Sequence, residues 1–231
     1  MPKLKEEKPP LFLRHEEGRK YPYAKRFGAF TIRYRRGRWR NAIWEEELDE
    51  EDRPLLRVRD LFGWVELDGE RIGAVGFKEH DVDFGTTNGN YIYAADVSSY
   101  EDQRIASVVS DYWKDVGLEI GAYGPIIYAE GLWIEPRHRS RLVATELLRD
   151  FIAAVYRRFP LMVLNAFPLE YESRVTEENR EVFERRIRAM MRHYSTVLGF
   201  TPFADCTDTN GGWMWKIGMD VIAEPKKQTA D

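Results

Sequence analysis

The stretch Pro125–Ile134 reads PIIYAEGLWI, and the basic turn 136–141 (PRHRSR) and the segment 142–159 follow it along the chain. The first stretch is nearly continuous in apolar and β-favouring residues. It therefore predicts a strand buried on both faces, as in a mixed or parallel sheet. Apolar residues at helical spacing in the third segment predict a helix, which Pro160 ends. The unit is a strand, a basic turn and a helix.

The basic turn has the chemistry of an anion site. A helix N-terminus presents unpaired N–H groups and the positive end of the helix dipole, which suits a pyrophosphate. Three arginines, Arg137, Arg139 and Arg141, surround this helix start, and Ser140 adds a neutral donor. Guanidinium groups pair well with a dianionic ligand. An arginine-rich surface turn that merely begins a helix is the simpler interpretation, and it stays open on these grounds.

Turn and capping signals place further elements upstream. Residues 63–67 and 71–77 flank Asp68-Gly69, which predicts a β-hairpin because such turns need positive φ. Alternating apolar residues predict a strand around 30–34, and the run 91–95 (YIYAA) predicts another short strand. Ser98 and Ser99 precede acidic residues at capping-box spacing, which indicates a helix over about 99–116.

Downstream of the central unit the same rules predict three elements. Residues 161–164 form a buried strand, and 176–199 a helix that ends at Gly199. Residues 201–206 and 213–220 then form a second hairpin around Asn210-Gly211-Gly212. This order of strands and helices indicates an α/β or α+β fold with a single mixed sheet flanked by helices.

Composition and length favour one domain. The chain has 231 residues, of which 43% are hydrophobic and 32% charged, as in a globular protein. We expect a loosely held basic N-terminal tail over 1–26, one domain over 27–221 and a C-terminal tail over 222–231. No apolar run has membrane-span length, and the N-terminus lacks a signal-peptide pattern. A cytoplasmic location and no membrane partner are therefore expected. One cysteine and four scattered histidines provide no metal-ligand spacing, so no metal is expected.

Residues 132–148 (LWIEPRHRSRLVATELL) resemble the acyl-CoA motif of the GNAT acyltransferase superfamily. That motif is an apolar strand, a Pro, an Arg three residues later, a glycine-rich helix start and paired leucines. Pro136, Arg139, Ala144, Leu147 and Leu148 match it. The resemblance covers about 125–220, and the upstream hairpin fits it. It implies a GNAT-like sheet in which splayed central strands form an acyl-CoA cleft.

The resemblance implies an N-acyltransferase that moves an acetyl or other acyl group from acyl-CoA, its co-substrate, to a primary amine by direct attack. Backbone groups of the central strand and helix start would bind the acyl-CoA. The cofactor-binding residues implied are Leu132, Trp133, Ile134, Arg139, Ser140, Arg141, Leu142, Val143, Ala144 and Thr145.

Catalysis would need a base for the amine and an acid for the departing thiolate. Glu130 lies on an apolar strand, where burial should raise its pKa, so it is the predicted base. Asp96, Glu170 and Glu172 are weaker candidates. Tyr194 is the predicted acid. A carboxylate paired with an arginine remains an open alternative for Glu130, and a core tyrosine for Tyr194.

Two departures from the family pattern keep other functions open. Leu142 stands where the family usually has Gly, and Ser195 where it often has the catalytic Tyr. A catalytically inactive binding protein with the same fold is therefore one alternative.

The charge distribution motivates a second alternative. Residues 1–40 hold 13 Lys and Arg against four Asp and Glu. An acyltransferase acting on nucleic acid or aminoacyl-tRNA could grip phosphates through the basic residues of 14–40 and stack bases on the aromatic residues among them. The expected partners are otherwise acyl-CoA and an unspecified amine, and a homodimer is left open.

Overall fold

The computed structural model describes residues 19–42, 54–139, 143–168, 175–203 and 211–219. Within these ranges the strands form one open, mixed sheet that is mostly antiparallel. Its strands are β1 (Tyr23–Phe27), β2 (Phe30–Arg36), β3 (Arg40–Asn41), β4 (Leu56–Leu67), β5 (Glu70–Val82), β6 (Ile126–Ile134), β7 (Leu161–Asn165), β8 (Thr201–Pro202) and β9 (Trp213–Ile217). Their spatial order is β1-β2-β4-β5-β6-β7-β9-β8, with β3 paired to the outer part of β4.

The long hairpin of β4 and β5 is the centre of the sheet. Asp68 and Gly69 form its turn with φ values of 51° and 85°, as predicted for an Asp-Gly pair between β-rich runs. Antiparallel pairing runs from Leu56 opposite Val82 to Leu67 opposite Glu70. The hairpin thereby brings residues 60–63 beside 75–78, where the sheet meets β6.

Helices cover both faces of the sheet. They are α1 (Asn88–Ser98), α2 (Tyr100–Tyr112), the short α3 (Val116–Glu119), α4 (Val143–Val155) and α5 (Arg180–Leu198). Side chains of β6 alternate between the two cores: Ile127 and Ala129 pack with α4 and α5, whereas Ile126 and Tyr128 pack with α1 and α2. The predicted strand buried on both faces is confirmed.

Local signals in the sequence fix several helix ends. The Ser99 side chain caps α2 by accepting from the Asp102 amide at 3.1 Å. Gly199 ends α5 in the left-handed conformation, with φ 72°. Both were expected from the capping patterns, although α2 is four residues shorter at its C-terminal end than the predicted 99–116.

Two expectations differ from the structure. Residues 91–95 are not a strand but the middle of α1, where Tyr91, Ala94 and Ala95 form a buried stripe. The short apolar run fits either period, and the Thr87 cap that accepts from the Asn90 amide favours the helix. The sheet also begins at Tyr23 rather than at residue 27, because β1 pairs with β2 along its whole length.

Strand β6 contains the irregularity that defines the site. It pairs in parallel with β7 over only three positions, Ile127 to Ala129. Beyond that point β7 continues with β9, whereas residues 130–134 of β6 keep only their antiparallel partner β5. The edge of β6 that faced β7 therefore has no strand partner over these residues within the described part of the chain.

Candidate functional site

Glu130 is the bulged residue of β6. Gly76 of β5 lies opposite Gly131, and the next residue, Phe77, lies opposite Ala129, so Glu130 has no partner in the ladder. A bulge of this kind re-aims one side chain and increases the local twist. Gly131 completes it with φ 145°, a value that favours glycine.

The Glu130 side chain extends across the sheet over Gly76. A Cβ atom built at Gly76 would overlap the Oε2 atom of Glu130, so the absence of a side chain at Gly76 makes room for the carboxylate. The same face of the sheet carries Asp60 of β4 and Lys78 of β5, which lie opposite each other in the ladder. The bulge and the glycine together place the carboxylate over the central hairpin.

The environment of Glu130 disfavours its charged form. Burial is the largest cause and, with the nearby Glu101 carboxylate, raises the pKa of the Glu130 carboxyl to about 8. Lys78 opposes this shift, and Asp60 adds to it. The described residues provide no hydrogen-bond or ion-pair partner for this carboxylate. A carboxyl that titrates near neutral pH and has no structural partner is suited to proton transfer.

Glu130 opens onto a cavity of about 420 Å³. Leu61 and Phe62 of β4 form the apolar part of its wall, and the turn after β2 covers it. That turn is held to the sheet because the Gly37 amide donates to the Asp60 carbonyl at 2.7 Å. The charged residues that line the cavity are Arg19, Arg35, Arg38, Arg40, Asp60 and Glu130. The volume is that of a small-molecule site.

A buried ionic cluster supports the site from the side of α2. Lys78 Nζ lies 3.0 Å from both Glu101 and Asp102, and His80 Nε2 lies 2.8 Å from Asp102. Burial alone would raise the pKa of Asp102, but its hydrogen bond to His80 and the Lys78 charge hold it well below its usual range. Burial would likewise lower the pKa of Lys78, yet these carboxylates raise it. The Lys78 ammonium group is therefore ion-paired with two carboxylates of α2.

A second cluster lies on the α4 side of the sheet and has a structural role. Glu79 is 1% exposed and is paired with Arg59 and Arg36. The Tyr156 hydroxyl of α4 donates to it at 3.0 Å. Because every oxygen of this carboxylate has a partner, the cluster joins α4 to the sheet and leaves no group for chemistry.

The residues predicted to bind acyl-CoA fall into three groups. Leu132 and Ile134 pack toward α4, whereas Trp133 packs with Phe62 on the other face. The backbone groups of Leu132 and Ile134 lie along the unpartnered edge of β6, whereas the Trp133 carbonyl faces Gly73 of β5. Ser140, Arg141 and Leu142 lie outside the described residues, as does the side chain of Val143.

The remaining members of that set are engaged within the protein. Arg139 Nε donates to the Ile134 carbonyl at 2.6 Å, which folds the guanidinium back onto β6. Thr145 is buried, and its hydroxyl lies 2.7 Å from Nε2 of His193 on α5. Ala144 packs against the core. The structure thus ties the start of α4 to β6 and α5.

The predicted acid Tyr194 lies on α5 and packs against the core between α5 and the sheet. Burial raises its pKa, so its phenol stays protonated at neutral pH. Glu130 extends over the opposite face of the sheet, and the two predicted catalytic side chains are not in contact in this structure. Of the weaker carboxylate candidates, Asp96 is exposed on α1, and Glu170 and Glu172 lie outside the described residues.

One orphaned polar atom lies where β6 and β7 diverge. Asn165 is the last residue of β7, and its Oδ1 atom is buried without a partner among the described residues. A buried amide oxygen of this kind is costly unless something donates to it. Together with the free edge of β6, it leaves hydrogen-bonding capacity on both sides of the divergence.

Three arginines of the basic N-terminal segment are paired with carboxylates within the sheet. Arg33 lies 2.8 Å from Glu66, and Arg36 and Arg40 pair with Glu79 and Asp60. These pairs reduce the positive charge that a polyanion would meet along β2 and β3. The residues before 19 lie outside the described part.

Comparisons with known proteins leave the family unassigned. No protein-family model, curated protein or solved structure matches the chain. Among the described residues there is no group of three or more His, Cys, Asp or Glu side chains that could hold a metal ion. A search of the same residues finds no helix with the length and apolar character needed to cross a bilayer.

Sequence reasoning placed Glu130 on the right strand but missed its surroundings. Gly76, Asp60 and the turn 37–40 become neighbours of Glu130 only through the pairing of β4, β5 and β6. The one available signal was composition: glycines at 73 and 76 inside a predicted strand mark a close approach or a bulge.

Proposed function

We propose that the chain is an N-acyltransferase that transfers an acetyl or other acyl group from acyl-CoA to a primary amine, with Glu130 as general base. The observation that carries the proposal is the Glu130 carboxyl itself. It is a bulged residue with no structural partner among the described residues, a pKa near 8, and a position at the rim of a small-molecule cavity.

The divergence of β6 from β7 supports a thioester donor. An extended pantetheine arm carries amide groups, and on the free edge of β6 the backbone of Leu132 offers partners for them; the Ile134 carbonyl on that edge already accepts from Arg139. The unpartnered Asn165 Oδ1 atom offers a further acceptor. These groups fit the arm better than Arg139 and Thr145 fit the phosphates, because both of those side chains are engaged within the protein.

When bound, acyl-CoA would supply an activated acyl group as a thioester. The amine nitrogen attacks the carbonyl carbon, so that one C–N bond forms and the C–S bond breaks. Glu130 accepts the proton that the amine loses. Tyr194, the predicted acid, packs on the opposite face of the sheet, so it is assigned no step; the thiolate departs with the C–S electron pair and takes a proton from solvent.

The inactive binding protein is the second candidate function. It is favoured by one observation, the engagement of Arg139 and Thr145 in hydrogen bonds within the protein. Acyltransfer to nucleic acid receives less support, because Arg33, Arg36 and Arg40 are paired with carboxylates in the sheet.

The decisive experiment measures thiol release from acetyl-CoA with a panel of small amines, for the wild type and Glu130→Gln. We expect the substitution to lower kcat by about a hundredfold or more, with the fold intact. The wild-type kcat/KM should rise with pH to a plateau above about pH 8, because the base works when deprotonated.

The matched control is Glu66→Gln. This carboxylate is also on the sheet and largely buried, 13% exposed, but it is paired with Arg33 outside the cavity. Its kcat should be that of the wild type. Unchanged kcat in folded Glu130→Gln would remove Glu130 as the base. Binding of acetyl-CoA without turnover of any amine would favour the inactive binding protein.

A further inference from the structure

Four arginines line the cavity onto which Glu130 opens. The arginine wall, defined as Arg19, Arg35, Arg38 and Arg40, faces two carboxylates, those of Asp60 and Glu130. Asp60 is already paired with Arg40 at 2.8 Å, which neutralises one charge of each sign. Arg19 and Arg35 also have partners within the protein. The arginines therefore give the cavity a cationic side by their number, four of the nine described residues that line it, and Glu130 gives it a separate acidic end.

The backbone explains this separation of charge. Strand β2 ends at Arg36, and the chain continues along the same edge of β4, where the Gly37 amide donates to the Asp60 carbonyl. The chain then pairs again at Arg40 opposite Val58. This irregular continuation has one extra residue between Arg36 and Arg40, and it carries Arg38 on the β2 side of the cavity, whereas the carboxylate of Glu130 arrives from β6, across β5.

The sheet also sets the span between the two ends. Arg35 lies opposite Phe62, Phe62 opposite Gly76, and Gly76 opposite Gly131. Three inter-strand steps correspond to about 14 Å between the backbones of β2 and β6. The Glu130 carboxylate reaches back over Gly76 of β5, and the arginines line the same cavity from the β2 side. A ligand with only a few bonds between its two charged groups matches this separation.

We propose that the amine acceptor is a small zwitterion, with its carboxylate or phosphate group held by the arginine wall and its amine at Glu130. This inference rests on the proposed acyltransferase function and narrows its substrate class. A planar guanidinium binds either oxyanion through paired N–H donors, so the two sources share one recognition chemistry. An amine placed at the acidic end lies beside the residue that would remove its proton.

Two matched acceptor pairs test the proposal. The first pair is 3-aminopropanoate and 3-aminopropanol, and the second is O-phosphoethanolamine and ethanolamine. Each acceptor is measured by calorimetric binding to the full chain without acyl-CoA, and by kcat/KM with acetyl-CoA. We expect the anionic member of at least one pair to be preferred by about tenfold or more in both measurements. The preferred pair identifies the anion.

Variants connect the preference to the wall. Arg38→Gln should reduce the preference for the anionic member by about tenfold, and Arg35→Gln provides a second variant if the first does not fold. The control is Arg158→Gln, an exposed arginine between α4 and β7, which should leave both measurements unchanged.

The outcomes separate this inference from the proposed function. Turnover with equal kcat/KM for both members of each pair overturns the zwitterion but leaves the acyltransferase intact. Calorimetric preference for an anionic acceptor that Arg38→Gln removes, without any thiol release, supports the anion site and rejects acyl transfer. Absence of preference in both measurements, or a preference that neither arginine variant changes, overturns the inference.

Discussion

The raised pKa of Glu130 makes a prediction about stability that is independent of any substrate. In the folded protein the carboxyl has a pKa of about 8, against 4.5 for an unperturbed glutamate. Between these values the folded state holds a proton that the unfolded state releases, so the free energy of unfolding falls as pH rises. A difference of about 3.5 pH units corresponds to at most about 5 kcal/mol. Because the side chain is only partly buried, we expect the free energy of unfolding to fall by about 2 kcal/mol or more over this pH range.

Glu130→Gln removes this titration and nearly keeps the side-chain shape. Urea unfolding of the wild type and the variant at pH 5, 7 and 9 should therefore give a difference that grows in favour of the variant with pH and levels off above about pH 8. The variant would be the more stable and the less active protein. Parallel pH dependences would show that the carboxyl is charged and solvated in the folded state, and would refute both this reasoning and the assignment of the base.

Three further substitutions test the scaffold by urea unfolding. Gly69→Ala should cost about 1 kcal/mol, because the turn holds φ at 85°, and an unchanged midpoint would mean that the hairpin turn relaxes easily. Tyr156→Phe should cost about 1.5–3 kcal/mol by removing the donor to the buried Glu79 carboxylate, and a loss below about 0.5 kcal/mol would show that water replaces the hydroxyl. Asp102→Asn should cost about 3–5 kcal/mol by leaving Lys78 buried with less compensation; wild-type stability would contradict that.

Most of the fold could be predicted because local rules agreed with tertiary packing. The β4–β5 turn, the Ser99 cap and the Gly199 helix end each depend on a few adjacent residues. The strand predicted for the run YIYAA at 91–95 is wrong because a local rule had too few residues to act on. It is too short to separate a period of 2 from one of 3.6, and the Thr87 cap lies outside it.

The candidate site was less predictable because it depends on register. That Glu130 belongs to a buried strand follows from its apolar neighbours. That it lies over Gly76 and faces Asp60 follows only from a one-residue shift in the β5–β6 ladder, which no local pattern encodes. The arginine wall likewise depends on pairing, because β2 and β3 follow one edge of β4 with an extra residue between them.

The bulge at Glu130 has a consequence for how the protein can change. Apart from Glu130, side chains of β6 alternate regularly from Ala129 through Gly131 to Ile134, with Leu132 and Ile134 on the α4 side. Deleting Glu130 would therefore leave an unbroken ladder, in which all remaining side chains of β6 face the same core as before. The carboxylate is an insertion that the architecture does not require. A chain lacking that single residue should fold, and it would show whether the scaffold stands without the carboxylate.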